Sequence, residues 1–297
     1  HTFDNPGDYD VSLTVTDNNG CVFEVIITVP VAGLPPVDFS WAAACEDTPI
    51  QFTVDETITD VGAVAIWAWA FGDGILSSDQ NPLHAYVTSG LYNATLTITD
   101  TLGYSNSITH EIDVKPNPIS VFAIETPNCE DTPTQFTDYS VALSGFITTW
   151  EWDFGDGSPI ITINQPDDPD VTHTYTGTGT FSPTLTVTSS DGCTHTSQET
   201  VSITPAPIAQ IDVTQGCTSG PVTFHDVSNL NGSGDIISRN WNFGDPASGS
   251  ANTSNLTNPT HIFSSAGDYD ITLIIESSSG CSDTATITIT VTDEPTV

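Results

Sequence analysis

Residues 150–157 read Trp-Glu-Trp-Asp-Phe-Gly-Asp-Gly, and this stretch recurs along the chain. Residues 67–74 read Trp-Ala-Trp-Ala-Phe-Gly-Asp-Gly, and residues 240–246 read Asn-Trp-Asn-Phe-Gly-Asp-Pro. Successive side chains of a strand point to opposite faces, so the alternation places Trp152 and Phe154 on one face. Gly tolerates positive φ and Asp can bond its own backbone just downstream. Each copy therefore predicts a strand that buries two aromatic side chains and then turns sharply.

The aromatic and turn positions of the three copies are defined here as the structural motif, and they are Trp69, Phe71, Asp73, Trp152, Phe154, Asp156, Trp241, Phe243 and Asp245. A second motif, His-x-(Tyr/Phe), follows each copy, at residues 84–86, 173–175 and 261–263. A Gly-x-aromatic and an alternating strand come next, and the same second half opens the chain at residues 1–15. The copies are 83 and 89 residues apart, from Trp69 to Trp152 and from Trp152 to Trp241. A period of that length predicts a string of small domains rather than a solenoid.

The order of these motifs resembles the PKD (polycystic kidney disease) domain. The resemblance rests on Trp-x-Phe-Gly-Asp-Gly, on Asn-Pro-x-His-x-Tyr at residues 81–86, and on the Gly-x-Tyr before a Thr-rich strand. It implies an all-β fold, a tandem array of immunoglobulin-like (PKD-type) β-sandwiches arranged end to end. The expected domains are a first repeat that is a C-terminal fragment, then second, third and fourth repeats that are whole, at residues 1–32, 33–116, 117–206 and 207–297. In the fourth repeat Pro246 replaces the second Gly, so its turn is expected to differ.

The chain is strongly acidic. It has 38 acidic residues (Asp and Glu) and only two basic ones, Lys115 and Arg239, which gives a formal net charge of −36. A field of that sign repels nucleic acid and anionic lipid. No apolar run reaches the roughly 18 residues of a membrane helix. We therefore expect no nucleic-acid partner, no membrane insertion in this segment, and an extracellular place, at a cell surface or secreted; a merely solubilising acidic surface explains the charge equally well.

The first 32 residues predict a hairpin across Asp-Asn-Asn-Gly at residues 17–20. Two strands alone are not stable, so the missing half is expected upstream in the same polypeptide. Pro-marked linkers at residues 33–36, 115–118 and 204–207 separate the repeats. Proline favours extended, stiff linkers, which predicts a semi-rigid rod of domains.

Six cysteines occupy two positions of the repeat. Cys45, Cys129 and Cys217 follow the first strand, whereas the turn before the last strand holds Cys21, Cys193 and Cys281. In the second repeat Tyr104 takes the latter place. In the sandwich that the resemblance implies, these positions lie at opposite ends of a domain, beyond the ~7 Å that a disulfide tolerates between Cα atoms.

Pairing between repeats is therefore favoured over pairing within one. Joining Cys21 to Cys45 and Cys193 to Cys217 would leave Cys129 without a partner. Only one scheme leaves no cysteine of the middle repeats without a partner: it pairs Cys45 with Cys193 and Cys129 with Cys281. Cys21 and Cys217 would then bond domains outside this chain. Disulfides imply an oxidising compartment. Ordinary structural cysteines that carry no load remain the alternative.

No catalytic constellation is found: the chain lacks a Gly-rich phosphate loop, His-Glu-x-x-His and Gly-x-Ser-x-Gly, and we expect no enzyme activity. The repeated His is expected to be structural, and the repeated Asp to cap its own turn. The carboxylate pairs Glu46-Asp47 and Glu130-Asp131 are weak candidates for calcium at the domain junctions, because calcium prefers several such oxygens. No other cofactor is expected.

The first functional hypothesis is a structural or adhesive repeat segment of a long extracellular surface protein or filament. It would be a semi-rigid, tension-bearing stalk with inter-domain disulfides, and it resembles the repeat arrays of large Bacteroidota adhesins. Its partners would be neighbouring domains of the same chain, copies of itself in a filament, and a glycan or surface ligand. One alternative is a carbohydrate- or protein-binding accessory module of a secreted hydrolase, with Trp41 or the inserted loops at residues 165–170 and 247–258 as contacts. Another is an archaeal surface-layer component.

Overall fold

A computed structural model describes residues 1–55, 64–214 and 220–293 of the chain. The described residues form two compact units. The first unit holds residues 1–118 together with 142–146 and 189–194, and the second holds the remaining described residues from 119 onwards. The units are described separately below.

The first unit begins with a two-stranded hairpin, β1 (Gly7–Thr16) and β2 (Val22–Val31), paired antiparallel from Gly7 opposite Val31. The Asp17 carboxylate closes the predicted turn by accepting the N–H groups of Asn19 and Cys21, each at 2.9 Å. The apolar side chains of β1 and β2 remain largely exposed on this hairpin. In the fourth repeat the residues that match Val11, Leu13 and Val15 are fully buried, and they are Ile271, Leu273 and Ile275.

The second repeat lies in the first unit and folds as two facing sheets. A three-stranded sheet has the order β3-β5-β8, and a five-stranded sheet has the order β4-β10-β9-β6-β7. Strand β4 runs parallel to the end of β10, which places Cys45 opposite Lys115. The strands are β3 (Phe39–Trp41), β4 (Ala44–Cys45), β5 (Ile50–Val54), β6 (Val64–Ala70), β7 (Leu76–Ser77), β8 (Leu83–His84), β9 (Gly90–Asp100) and β10 (Ser105–Lys115).

Aromatic side chains from both sheets fill the core of the second repeat. Trp69 on β6 and Phe71, the residue directly after β6, point into the core and are each about 1% exposed. The ring of Phe39, on the opposite sheet, meets the ring of Trp69 edge to face at 4.9 Å. Burying rings of this size supplies the largest share of a small domain's hydrophobic stabilisation. The motif therefore places the core where the alternation predicts it.

The second unit contains most of the third repeat, whose strands form three sheets, in the orders β11-β12-β15, β14-β13-β17-β18 and β16-β19. Trp152 and Phe154 are buried, and Trp152 packs edge to face on Phe122 of the facing sheet at 5.1 Å. The strands are β11 (Phe122–Ile124), β12 (Pro133–Asp138), β13 (Ile147–Asp153), β14 (Ile161–Asn164), β15 (Val171–Thr174), β16 (Gly179–Phe181), β17 (Thr184–Ser189), β18 (Thr194–Gln198) and β19 (Val201–Ile203).

The fourth repeat, also in the second unit, pairs a sheet of order β20-β21-β24 with one of order β23-β22-β25-β26. After Phe243 the chain enters a 3-10 helix, Pro246–Asn252, so the turn differs from those of the other copies, as the proline predicts. The strands are β20 (Ile211–Val213), β21 (Val222–Asp226), β22 (Ile236–Asn242), β23 (Thr253–Ser254), β24 (Thr260–His261), β25 (Gly267–Ser277) and β26 (Ser282–Val291). These facing antiparallel sheets confirm the predicted fold class of tandem immunoglobulin-like β-sandwiches.

Candidate functional site

The buried Trp of each motif binds the loop that follows it. The indole N–H of Trp152 donates to the carbonyl oxygen of Pro169 at 3.1 Å. The indoles of Trp69 and Trp241 do the same with Asp79 and Leu256, each at 2.9 Å. A buried indole needs one acceptor, so the loop carbonyl satisfies it at no cost to the core. The inserted loop of the third repeat is thus anchored at Pro169.

The motif Asp joins the two sequence motifs. In the third repeat Asp156 accepts the backbone N–H of Ser158 at 2.9 Å, which caps its own turn, and its second oxygen lies 2.7 Å from His173 Nε2. The ring of Phe154 stacks on the ring of His173 with centroids 3.9 Å apart. Asp73 and His84 repeat this pair at 2.8 Å in the second repeat. Sequence reasoning treated the His and the Asp separately and missed their contact, although both recur at matching positions in every whole repeat.

The fourth repeat keeps the pair but changes its surroundings. Asp245 lies 3.2 Å from His261, and both side chains are about 2% exposed. Its carboxylate does not cap its own turn, contrary to the sequence prediction, and instead accepts the backbone N–H and the hydroxyl of Ser264. The reason is Pro246, which starts the 3-10 helix and redirects the backbone after Asp245.

These contacts hold the carboxylates of Asp156 and Asp245 in the charged form. Burial raises the pKa of Asp156, but hydrogen bonds from Ser158 and the nearby His173 outweigh it and lower the pKa to about 2. Burial also raises the pKa of Asp245. Hydrogen bonds from Ser264 and the nearby His261 outweigh burial, so the pKa of Asp245 lies below its usual value. The arrangement is that of a structural latch between two loops.

The glycine between Phe and Asp is required by close packing. Gly155 has a φ of 74°, and a Cβ there would lie 2.9 Å from the carbonyl oxygen of Ser182. Gly72 and Gly244 meet backbone at 2.8 and 2.6 Å in the same way. Real Cβ atoms do not approach backbone this closely, so only glycine lets the turn lie against the neighbouring strand.

Two disulfides join consecutive repeats. Cys45 is bonded to Cys193 with Cα atoms 5.6 Å apart, and Cys129 to Cys281 with Cα atoms 5.7 Å apart. All four cysteines are buried. These are the pairs that the sequence analysis favours. Cys21 is exposed and unbonded among the cysteines that the structure describes, and Cys217 lies outside the described residues.

The repeat architecture explains why the described cysteines form no disulfide within one repeat. In the second repeat Cys45 lies beside Lys115, where β10 ends, whereas Tyr104 stands just before β10 begins. Eleven residues of strand separate the two positions, which is about 35 Å at ~3.3 Å per residue. In the third repeat Cys129 forms the corresponding parallel bridge, with Thr204.

The predicted calcium ligands are used in other ways or belong to no metal-binding cluster of described residues. The Glu46 carboxylate accepts the backbone N–H groups of Ser89 at 3.1 Å and Asn117 at 3.0 Å. Asp47 and Asp131 are exposed and adopt positive φ, at 56° and 58°. Glu130 is half-buried beside its disulfide. Among the described residues no group of three or more His, Cys, Asp or Glu side chains could hold a metal ion, and junction calcium stays a prediction.

A shallow groove of about 570 Å³ lies on the solvent face of β6 in the second repeat, and its lining includes Ile66, Ala68, Ala70, Leu76, Thr95 and Thr97. Sequence reasoning missed this groove. The signal was visible, because the third repeat carries Glu151 and Asp153 where the second carries Ala68 and Ala70. Trp41, a predicted contact, is half-buried and packs against the core.

Tandem β-sandwiches with a repeated aromatic turn motif and disulfides between repeats define a class of modular, immunoglobulin-like repeat proteins. More particularly, the chain belongs to the PKD domain family, whose model matches residues 35–116, 115–205 and 204–291. The described part of the chain contains no helix with the length and apolar character needed to span a membrane.

The chain is similar to short parts of much longer proteins. It is 38% identical over 69 residues to collagenase ColA of Bacillus cereus, a match that covers 23% of this chain and 7% of the collagenase. It is 32% identical over 89 residues to the pre-pro-metalloprotease PrtV of Vibrio cholerae, covering 30% of this chain and 8% of that protein. The solved PKD1 domain of PrtV matches with 31% identity and a TM-score of 0.26, covering 29% of this chain and 98% of that domain.

Proposed function

We propose that this chain is a non-catalytic segment of a longer extracellular protein, in which the PKD repeats form a covalently clamped, tension-bearing spacer. The observation that carries the proposal is the pairing of Cys45 with Cys193 and of Cys129 with Cys281. Each bond ties the first turn of one repeat to the last hairpin of the next. Bonds placed in this way resist separation of the repeats as well as unfolding of each one.

Compartment and charge support an extracellular place. Disulfides persist in oxidising environments and are rare in the cytosol. A net charge of −36 keeps neighbouring chains apart and disfavours binding to nucleic acid or anionic lipid. The partners of the segment would then be the adjoining domains of the same chain. The repeat boundaries at residues 32/33, 116/117 and 206/207 are part of this proposal.

The second candidate is an accessory module that binds the substrate of a secreted hydrolase. Two observations favour it: the relatives are named as collagenases and a metalloprotease, and the β6 groove is lined by uncharged side chains on a highly acidic chain. An uncharged polymer could cover this face without desolvating a carboxylate, whereas Glu151 and Asp153 occupy the same face of the third repeat.

One experiment separates the candidates. The oxidised chain is incubated with insoluble collagen, cellulose and chitin, and the bound fraction is measured after sedimentation. A spacer gives no specific retention. Retention that Ala68→Glu abolishes, and that the control Glu151→Gln leaves unchanged, would transfer the function to the second candidate. Peptide mapping of unreduced, alkylated protein from culture medium tests the spacer directly, because free thiols at Cys45 and Cys193 would contradict it.

A further inference from the structure

The two disulfides enclose overlapping stretches of chain. Cys45 and Cys193 are 148 residues apart, and Cys129 and Cys281 are 152 apart. Because position 129 comes before position 193, both loops contain residues 129–193. Two loops in succession would each simply shorten the chain. When the loops overlap, the shortest covalent path between the chain ends enters the shared stretch at residue 193 and leaves it at residue 129, against the direction of the chain.

We propose that this overlap makes the chain a tether of covalently limited length, in which pulling at the two ends loads residues 129–193 in reverse and leaves the flanking stretches slack. The slack stretches, 46–128 and 194–280, hold strands β5–β11 and β18–β25. Unfolding there cannot lengthen the tether beyond its covalent limit. The biological use of this limit rests on the proposed spacer function, whereas the limit itself rests only on the bond pattern.

The covalent path can be counted from the sequence. Residue 1 to residue 45 is 44 steps, residue 193 back to 129 is 64, and residue 281 to 297 is 16. The shortest path is therefore about 124 steps and two cystines, against 296 steps without disulfides. At ~3.5 Å per extended residue these paths span about 430 Å and about 1040 Å.

Because the loops overlap, either disulfide alone keeps the covalent path between the chain ends short. Without the Cys129–Cys281 bond the path becomes 44 steps to residue 45 and 104 from residue 193 to the end, or about 520 Å. Without the Cys45–Cys193 bond it becomes 128 and 16 steps, or about 500 Å. Loss of either bond lengthens the tether by less than a quarter, and only loss of both more than doubles it.

Single-molecule force spectroscopy on the full chain tests the proposal, with handles at residues 1 and 297. The background carries Cys21→Ser and Cys217→Ser, so that only four cysteines remain. Expected maximal lengths are about 430 Å oxidised, about 520 Å for Cys129→Ser with Cys281→Ser, about 500 Å for Cys45→Ser with Cys193→Ser, and about 1040 Å after reduction. Near-ultraviolet circular dichroism of the buried tryptophans shows that each variant is folded before it is pulled. If a variant fails to fold, the Cys21→Ser, Cys217→Ser background protein is partially reduced instead, and its molecules are grouped by maximal length.

Each outcome bears on the proposal. A fully oxidised length of about 810 Å would mean a Cys129–Cys193 bond with a path of 128 and 104 steps, and would overturn it. Equal lengths before and after reduction would overturn it as well. If the four lengths are as expected but the chain is specifically retained on collagen, the covalent length limit is supported and the spacer function is contradicted. The failure of one proposal can therefore be told from the failure of the other.

Discussion

Replacing Asp156 by Asn removes one negative charge and keeps the shape of the side chain. Asn can still accept the N–H of Ser158 but loses the charge that faces His173 at 2.7 Å. Both side chains of the pair are mostly shielded from water, at 14% and 17% exposure. We expect the third repeat to lose the latch between its two motif loops while its tryptophan core remains in place.

The magnitude follows from the pKa of Asp156. That pKa falls from an ordinary 3.8 to about 2, because the hydrogen bonds and the nearby His173 outweigh burial. At ~1.4 kcal/mol per unit, the charged form is favoured by roughly 2 kcal/mol in the folded state. Since 1.4 kcal/mol is a tenfold change in an equilibrium, Asp156→Asn should raise local opening of the third repeat by about 30-fold at pH 7.

Hydrogen exchange with mass spectrometry resolves this effect by repeat, which global unfolding of a chain with several domains does not. Peptides from β13 and β17 report the third repeat, and peptides from β22 and β25 serve as an internal reference. The matched control is Asp167→Asn on the neighbouring insertion, which removes the same charge from an exposed position. The control should leave exchange within about twofold of wild type.

The effect should also depend on pH. Because the folded pKa is lower than the ordinary value, Asp156 contributes its full stabilisation above pH 3.8 and loses it as the pH falls through about 2. Urea midpoints of the third repeat, measured from the hydrogen exchange of its β13 and β17 peptides, should therefore differ between wild type and Asp156→Asn at pH 7 and converge near pH 2. If Asp156→Asn exchanges like Asp167→Asn at pH 7, or if the midpoints differ equally at both pH values, the latch does not stabilise the repeat and the reasoning is wrong.

Three further predictions follow from the contacts, and each is measured by hydrogen exchange of the repeat that carries the substitution. Gly155→Ala should cost about 1–3 kcal/mol through positive φ and a backbone clash, whereas Gly157→Ala, at similar φ in open space, should cost only the smaller backbone part. Tyr86→Phe should cost about 1 kcal/mol by removing a buried hydroxyl bond of 3.0 Å, and no change would contradict that bond. Arg239→Met should cost roughly 3 kcal/mol, because it leaves the 2% exposed side chain of Asp226 without its ion-pair partner; a neutral result would show that the pair adds nothing.

Much of the fold could be predicted from local patterns. Alternation along residues 150–154 placed Trp152 and Phe154 inside, because strand geometry alone determines which side chains share a face. The turn at Asp17 and the changed turn at Pro246 were predictable for the same local reason. The contact of Asp156 with His173 was not, because 17 residues separate them and their meeting depends on how two loops pack.

The β6 groove shows the same limit. Its apolar positions alternate with buried ones along a single strand, so the sequence contains them, yet a surface depression needs neighbours from β7 and β9. The bond pattern of the cysteines lies between these cases. The positions of the cysteines in the repeat, together with the implied sandwich, reduce the number of possible disulfide pairings. The contact of one repeat with the next decides whether the sulfur atoms of a pair come within bonding distance.

The amino-acid sequence by itself determined the repeated strands, the buried aromatic pairs, the glycine turns, the acidic surface and the family, because each depends on neighbours only a few residues away or on composition. Tertiary structure alone decided which oxygen each His faces, how Glu46 is used, and which exposed face forms a groove. Those features depend on groups distant in sequence, whose positions are set only when two sheets pack around a common core.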